Sequence, residues 1–336
     1  MLLGIDSFSL RWQRWDALQL MDYAASLGLE NVHFSERANL DSLETPYLQS
    51  IRRHADALGL HIEIGMRSFE RFSSTFDASL GSGEQQLETM LRAASVLGSP
   101  IVRCFLGMQA DRMGDVPFDQ HIAEATRTLR AAAPLAENLG IAIAVENHGG
   151  VDLLAYELRD LIEAVGSDFV RVCLDTGNPT YAAEDAVLAA EVLAPYVVTT
   201  HLRDTKIWET ADGAMVQWAP VGEGDVDLRR IVEIVGQHAP DSAIDLEIIT
   251  GVAPKAIPYF DPTSGFWQMY PDMRAPDFAR FVAVARRGTP EPLNQLCLDP
   301  GVWAPPPDQL DVFRAQQRDH LERSVTYCRT ALGIAS

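Results

Sequence analysis

The sequence predicts an α/β chain folded as a (β/α)8 barrel, with loop insertions after the seventh and eighth strands and a helical extension at the C-terminus. Three observations carry this expectation. Short apolar runs alternate with helical stretches eight times. The runs are apolar at successive positions, as in a parallel sheet covered by helices on both faces. Five helices stop on one signal, a Leu or Val followed by Gly, at Leu27-Gly28, Leu58-Gly59, Leu97-Gly98, Leu139-Gly140 and Val165-Gly166. Gly enters a left-handed cap without a Cβ clash and turns the chain back toward the next strand.

In order, Leu2–Phe8 is the first strand and Trp15–Leu27 its helix. Asn31–Glu36 is followed by Pro46–Leu58, and His61–Met66 by Glu84–Leu97. Pro100–Gly107 is followed by Phe118–Leu139, and Ile141–Asn147 by Leu154–Val165. Val170–Asp175 precedes Glu184–Leu193, Val197–Asp204 precedes Leu228–His238, and Ile244–Ile249 precedes a last wall helix at Pro276–Arg287. Eight such units close into a barrel. The alternative, an open doubly wound sheet, wants a Gly-rich phosphate loop after the first strand, and Asp6-Ser7-Phe8-Ser9 is not one.

Two stretches break the rhythm. Residues 205–225 read as a long loop after strand seven, with Trp208, Trp218 and a Gly222-Glu223-Gly224-Asp225 turn. Residues 250–275 are rich in Pro and aromatics, among them Pro254, Pro258, Tyr259, Phe260, Phe266, Trp267 and Tyr270. Both follow strand C-termini, on the face where barrel active sites sit. They read either as a lid or partner surface, or as packed excursions. A Pro-rich segment, Pro290–Pro307, leads to a terminal helix near Gln309–Leu332 that caps the barrel or dimerises. The expected division is one barrel over residues 1–290 and an extension over 291–336.

An apolar content of 47% supports a large core, and 27 basic against 47 acidic residues leave a net charge of −20. Such a surface repels phosphate backbones, which excludes nucleic acid as a partner and argues against anionic membranes. No apolar run approaches the roughly 20 residues of a membrane span. Met-Leu-Leu-Gly-Ile-Asp lacks the pattern of a secretory signal. Cys104, Cys173, Cys297 and Cys328 are scattered, with no CxxC pair. That suits free, buried thiols and a cytoplasmic location.

Four successive strands end in a residue type that binds metals. The segments are Ala144-Val145-Glu146-Asn147-His148-Gly149-Gly150, Cys173-Leu174-Asp175-Thr176-Gly177-Asn178, Thr199-Thr200-His201-Leu202-Arg203-Asp204 and Asp245-Leu246-Glu247. Each charge lies in or just past an apolar run, where a lone ion is costly to bury. Singly, a strand-end Asp is usually a helix cap and a lone His a satisfied core residue. Together, on neighbouring strands, Glu146, Asp175, His201 and Glu247 converge on a hard, mostly oxygen site. Such a site favours Mn2+, Mg2+ or Co2+ over a structural zinc, with Zn2+ left open.

These motifs, with the Gly222-Glu223-Gly224 turn and Leu246-Glu247, resemble the sugar phosphate isomerase/epimerase group of xylose-isomerase-like TIM barrels over about residues 1–250. The resemblance implies that Glu146, Asp175, His201 and Glu247 bind one divalent ion, Mn2+ first, and that Glu146 and Glu247 are the proton-handling pair of a ketose epimerase. A divalent metal polarises a carbonyl as a Lewis acid, which makes the neighbouring C–H acidic. The expected reaction is isomerisation or epimerisation of a sugar or keto-sugar through an enediolate.

Two departures matter. The family's 3-epimerases carry His three residues past the strand-six Asp, where this chain has Asn178. This chain instead has His148 two residues past Glu146, either a second base or substrate ligand, or a loop-capping residue. Relatives that act on 3-keto-glycosides use such a base for β-elimination, so the alternative is a lyase of the C-glycoside deglycosidase type, or a keto-inositol dehydratase. The deglycosidase resemblance implies a small second subunit beside a homo-oligomer. The phosphate of the family name does not transfer, since no phosphate cradle is visible. An endonuclease-IV-like repair enzyme would need more His ligands and a basic surface.

Arg103, Arg203, Asn178 and Trp12 are the candidate substrate contacts. Arg103 meets substrate oxygens or an acidic neighbour. Trp12 and Phe8 stack on a sugar or belong to the core. Glu36, Glu63, His33 and His61 reach the cavity or lie outside it.

Overall fold

In the computed structural model, which describes residues 1–334, eight parallel strands close into a barrel. They are β1 (Leu2–Asp6), β2 (Asn31–Phe34), β3 (His61–Ser68), β4 (Ile101–Phe105), β5 (Ala142–Glu146), β6 (Val170–Asp175), β7 (Val197–Leu202) and β10 (Ala243–Leu246). The order around the barrel is β1-β10-β7-β6-β5-β4-β3-β2. The wall helices are α1 (Ala17–Ser26), α2 (Thr45–Leu58), α3 (Gly83–Leu97), α4 (Phe118–Leu139), α5 (Ala155–Val165), α6 (Ala186–Leu193) and α7 (Leu228–His238). All five Leu/Val-Gly stops take the left-handed conformation, with φ between 68° and 72° at Gly28, Gly59, Gly98, Gly140 and Gly166. Ile5, Val32, Ile64, Val145, Leu174 and Leu246 are buried in one core with the inward faces of the helices.

Residues 205–225 are not the loop the sequence suggests. Asp204–Thr210 (β8) and Gly213–Ala219 (β9) form an antiparallel hairpin, and Lys255–Ile257 (β11) adds a third strand to it. The expected last wall helix also sits elsewhere. Ala275–Ala285 (α9), which follows the short Phe266–Met269 helix (α8), buries Phe281 and Ala285 against Ile207, Val216, Tyr259 and Tyr270 of this annex. The eighth wall position belongs to Leu310–Tyr327 (α10), whose Leu321 and Val325 enter the barrel core. It lies between the first and seventh helices: Tyr23 donates to Glu322 at 2.7 Å, and Arg229 donates at 2.6 Å to the carbonyl of Ala331, in the turn that continues α10. Sequence order names the nearest helix, but packing selected one further on. Cys104, Cys173 and Cys328 are buried and Cys297 is exposed, a correction to the expectation of four buried thiols. Among the described residues no helix is long and apolar enough to cross a membrane.

Candidate metal centre

Strand register sets the centre. Glu146 and Asp175 end β5 and β6, His201 is next to last in β7, and Glu247 follows β10. Asp175 pairs with His201, and His201 with Asp245, which puts Glu247 one inward-facing position further up. One ligand atom from each of Glu146, Asp175, His201 and Glu247 lies within 4.8 Å of all the others. His201 turns Nδ1 into the group, 3.2 Å from Glu146 Oε2 and 3.4 Å from Glu247 Oε2. Glu247, 8% exposed, is the only member with measurable access; the other three are at 0%.

The surroundings pin these side chains. Asn147 clamps the backbone of Asp175, donating to its carbonyl at 2.9 Å and accepting its N–H at 2.9 Å. The N–H groups of Gly177 and Asn178 donate to Asp175 Oδ1 at 2.8 and 2.6 Å. Behind His201, Nε2 lies 3.1 Å from His33 Nδ1 and 3.4 Å from Asp6 Oδ2.

Electrostatics test whether a cation fits. Burial opposes charge on Glu146, but Arg103 and His201 hold its carboxyl well below the usual carboxylate range. Burial likewise opposes Glu247, and Arg203, with Nη1 3.5 Å away, brings it down. For Asp175 burial wins over Arg203, whose Nη1 is 2.9 Å from Oδ2, and the carboxyl is pushed up to about 7. The two guanidinium groups and the His201 imidazole, which its acidic neighbours raise well above its ordinary range, share the charge of the three carboxylates. His201 Nδ1 and Glu247 Oε2 remain buried without a hydrogen-bond partner, a costly state. Convergent ligand atoms of three carboxylates and one imidazole, two of them unpartnered, fit a hard divalent ion.

The other candidates divide. Arg103 pairs with Glu146 and also reaches the carbonyls of Ser35 and Met66. Asn178 Nδ2 stands 3.4 Å from Glu146 Oε1. His148 stacks face to face on Phe105, centroids 3.6 Å apart. Its Nδ1, 3.1 Å from the Gly107 carbonyl, is the donor, which leaves Nε2 as the acceptor. Trp12 does not join this group, a correction to its reading as a sugar platform. Its ring packs edge-on against Phe313 at 5.4 Å, and Nε1–H donates to the Trp303 carbonyl at 3.0 Å. Glu63 and His33 point inward and are buried, whereas His61 is exposed and Glu36 faces Arg67.

Sequence reasoning missed two features. Ser9 bridges the backbone around Glu247. Trp218, on β9, lies against Arg203, 4.3 Å from guanidinium carbon to ring centroid, and against Tyr181 at 4.4 Å. Trp218 Nε1 and the Tyr181 hydroxyl are buried without partners. The alternating pattern of Gly213–Ala219 was the available signal for this wall.

Residues 16–262 match the family described as Xylose isomerase-like TIM barrel. A 3-oxo-isoapionate decarboxylase of Pectobacterium atrosepticum is 23% identical over 214 residues, 61% of this chain and 69% of that protein. A 2-epi-5-epi-valiolone 7-phosphate 2-epimerase of an Actinoplanes species is 36% identical over 126 residues, 36% of this chain and only 43% of that protein. A crystal structure of D-psicose 3-epimerase in the presence of D-fructose superimposes with a TM-score of 0.64 at 17% identity, covering 99% of this chain and 100% of that one. At that identity the likeness is one of fold.

Proposed function

The chain belongs to the xylose isomerase-like TIM barrel family, and on that premise we propose that it is a divalent-metal-dependent enzyme that removes a proton α to a carbonyl of a sugar or keto-sugar. The product forms by isomerisation or epimerisation through an enediolate. Glu146, Asp175, His201 and Glu247 would hold the ion, which when bound supplies Lewis-acid polarisation of the substrate carbonyl. The observation that carries this reading is the pair of buried, unpartnered atoms His201 Nδ1 and Glu247 Oε2, facing each other at 3.4 Å.

The chain's own groups do the rest. Glu247, with the only exposed edge of the four, takes the substrate proton, and Glu146 returns one on the opposite face. Arg103 keeps Glu146 ionised. Arg203, with Nε unpartnered, and Trp218 line the approach and orient substrate hydroxyl groups.

A lyase is the second reading, and His148 favours it. Its imidazole lies near enough to Glu146 for each to feel the other's charge, and Asn178 occupies the place where the family's 3-epimerases carry His. The decarboxylase among the relatives adds a precedent for bond cleavage. The test follows exchange of substrate protons with heavy water across ketoses and 3-keto-glycosides, with and without Mn2+. Metal-dependent exchange with a changed stereocentre supports the first reading, release of a leaving group supports the second, and neither with any metal refutes both.

A further inference from the structure

One layer deeper in the barrel lies a second set of donors that the proposed reaction does not use. His33, Glu63 and Asp245 are 0%, 4% and 0% exposed, and one ligand atom of each lies within 4.8 Å of the others. His33 Nδ1 is 3.7 Å from Glu63 Oε2 and 3.6 Å from Asp245 Oδ2. Neighbouring ligand atoms around a divalent ion at about 2.0–2.4 Å stand about 3.0–3.4 Å apart. A few tenths of an ångström would bring His33 Nδ1 to that spacing from each of the two carboxylates.

The set is built rather than incidental. Thr199 Oγ1 donates to Glu63 Oε2 at 2.6 Å, and Asn31 Nδ2 donates to both Asp245 oxygens at 2.8 and 3.0 Å. Gly4 leaves the room: a Cβ there would stand 1.9 Å from Asp245 Oδ1.

The set has imidazole neighbours and, among the described residues, no guanidinium partner. Arg103 and Arg203 make their ion pairs with Glu146, Asp175 and Glu247. Among the described residues, the ion-pair partners of Asp6, Glu63 and Asp245 are His33 and His201 alone. Asp6 Oδ2, fully buried, has no hydrogen-bond partner, and Asp6 offers a ligand atom within 4.8 Å of His33 and His201.

We propose that His33, Glu63 and Asp245 form a second divalent-cation site, distinct from the quartet and structural in role. With His33 Nδ1 on the ion, the His201 Nε2–H turns to Asp6 Oδ2, 3.4 Å away. The second ion links β2, β3 and β10 across the barrel and leaves His201 Nδ1 directed at the quartet.

The test loads the purified full chain with Mn2+, removes free metal, and counts ions per chain by elemental mass spectrometry. The expected count is two for the wild type and one for Glu63→Gln, with coupled Mn2+ pairs in the paramagnetic resonance spectrum of the wild type only. A wild-type count of one that Glu63→Gln retains overturns the proposal and leaves the quartet reading intact. A count of one that Glu63→Gln abolishes assigns that ion to the deeper set and overturns the quartet instead. Circular dichroism checks that the variant folds. If it does not, the wild-type count decides alone, two supporting the second site and one ending it.

Discussion

Ser9 holds Glu247 in place from both sides. Its hydroxyl donates to the Leu246 carbonyl at 2.8 Å and accepts the Ile248 N–H at 2.7 Å. Glu247 lies just past β10, where regular strand pairing has ended, so a side chain from the turn after β1 sets its backbone. Ser9→Ala leaves a buried donor and acceptor unmatched, at about 1–3 kcal/mol. The expected result is a lower melting temperature and roughly 10-fold weaker Mn2+ binding, with Ser9→Thr retaining more of both. An unchanged Mn2+ titration for Ser9→Ala refutes this role.

Removing metal should cost stability as well as activity. An ion that binds only the folded chain stabilises it by about 2.7 kcal/mol at a hundredfold excess over its dissociation constant. Chelation is therefore expected to abolish substrate exchange and lower the melting temperature, and Mn2+ to restore both. A melting temperature indifferent to chelator and metal contradicts a bound ion at the quartet.

His148→Asn separates the two chemical readings. If the imidazole drives elimination, the variant loses elimination by about 10²–10⁴-fold yet still exchanges the α-proton. Burial holds His148 down at about 4, so it stands neutral, as a base must, from about pH 5 to 8. The elimination rate should show no titration of this residue in that window. Equal loss of exchange and elimination would place His148 in substrate binding instead.

Glu184 makes a separate prediction about pH. Its Oε1 accepts the Ala155 N–H at 3.0 Å, while Oε2 is buried without a partner. Burial, with Glu157, Asp277 and Asp185 nearby, pushes its carboxyl up to about 8. In the unfolded chain it titrates near 4.3, so between these values the folded state binds the extra proton and stability falls as pH rises. Glu184→Gln keeps the Ala155 contact and removes the ionisation. Relative to wild type it should gain several kcal/mol at pH 8 and little at pH 4, read from denaturant unfolding at the two pH values. A constant difference across pH rules out this origin.

Much of this architecture was legible. Strand ends and Leu/Val-Gly caps are local signals, and they located the eight strands and the four residues Glu146, Asp175, His201 and Glu247. The β8–β9 hairpin was legible, because Asp212-Gly213 at the junction of two alternating runs is a strong hairpin signal. The identity of the eighth wall helix was not legible. α9 shows the clearer apolar face, while the buried side of α10 mixes Phe313, Leu321 and Val325 with Gln317, His320 and Ser324, and only three-dimensional packing assigns α9 to the annex and α10 to the wall. The inward turn of His33 and Glu63 was equally hidden, since short buried strands show no polar face by which to set their phase.

The late position of α10 has a consequence for how this chain is made. Synthesis runs from the N-terminus, and β10 is complete at Leu246, well before Leu310 leaves the ribosome. Over that interval every barrel strand exists while the seam between the first and seventh helices is bare, with β10 lacking the cover that α10 brings. The nascent barrel passes through an interval of exposed apolar surface, and its solubility then rests on the final helix arriving.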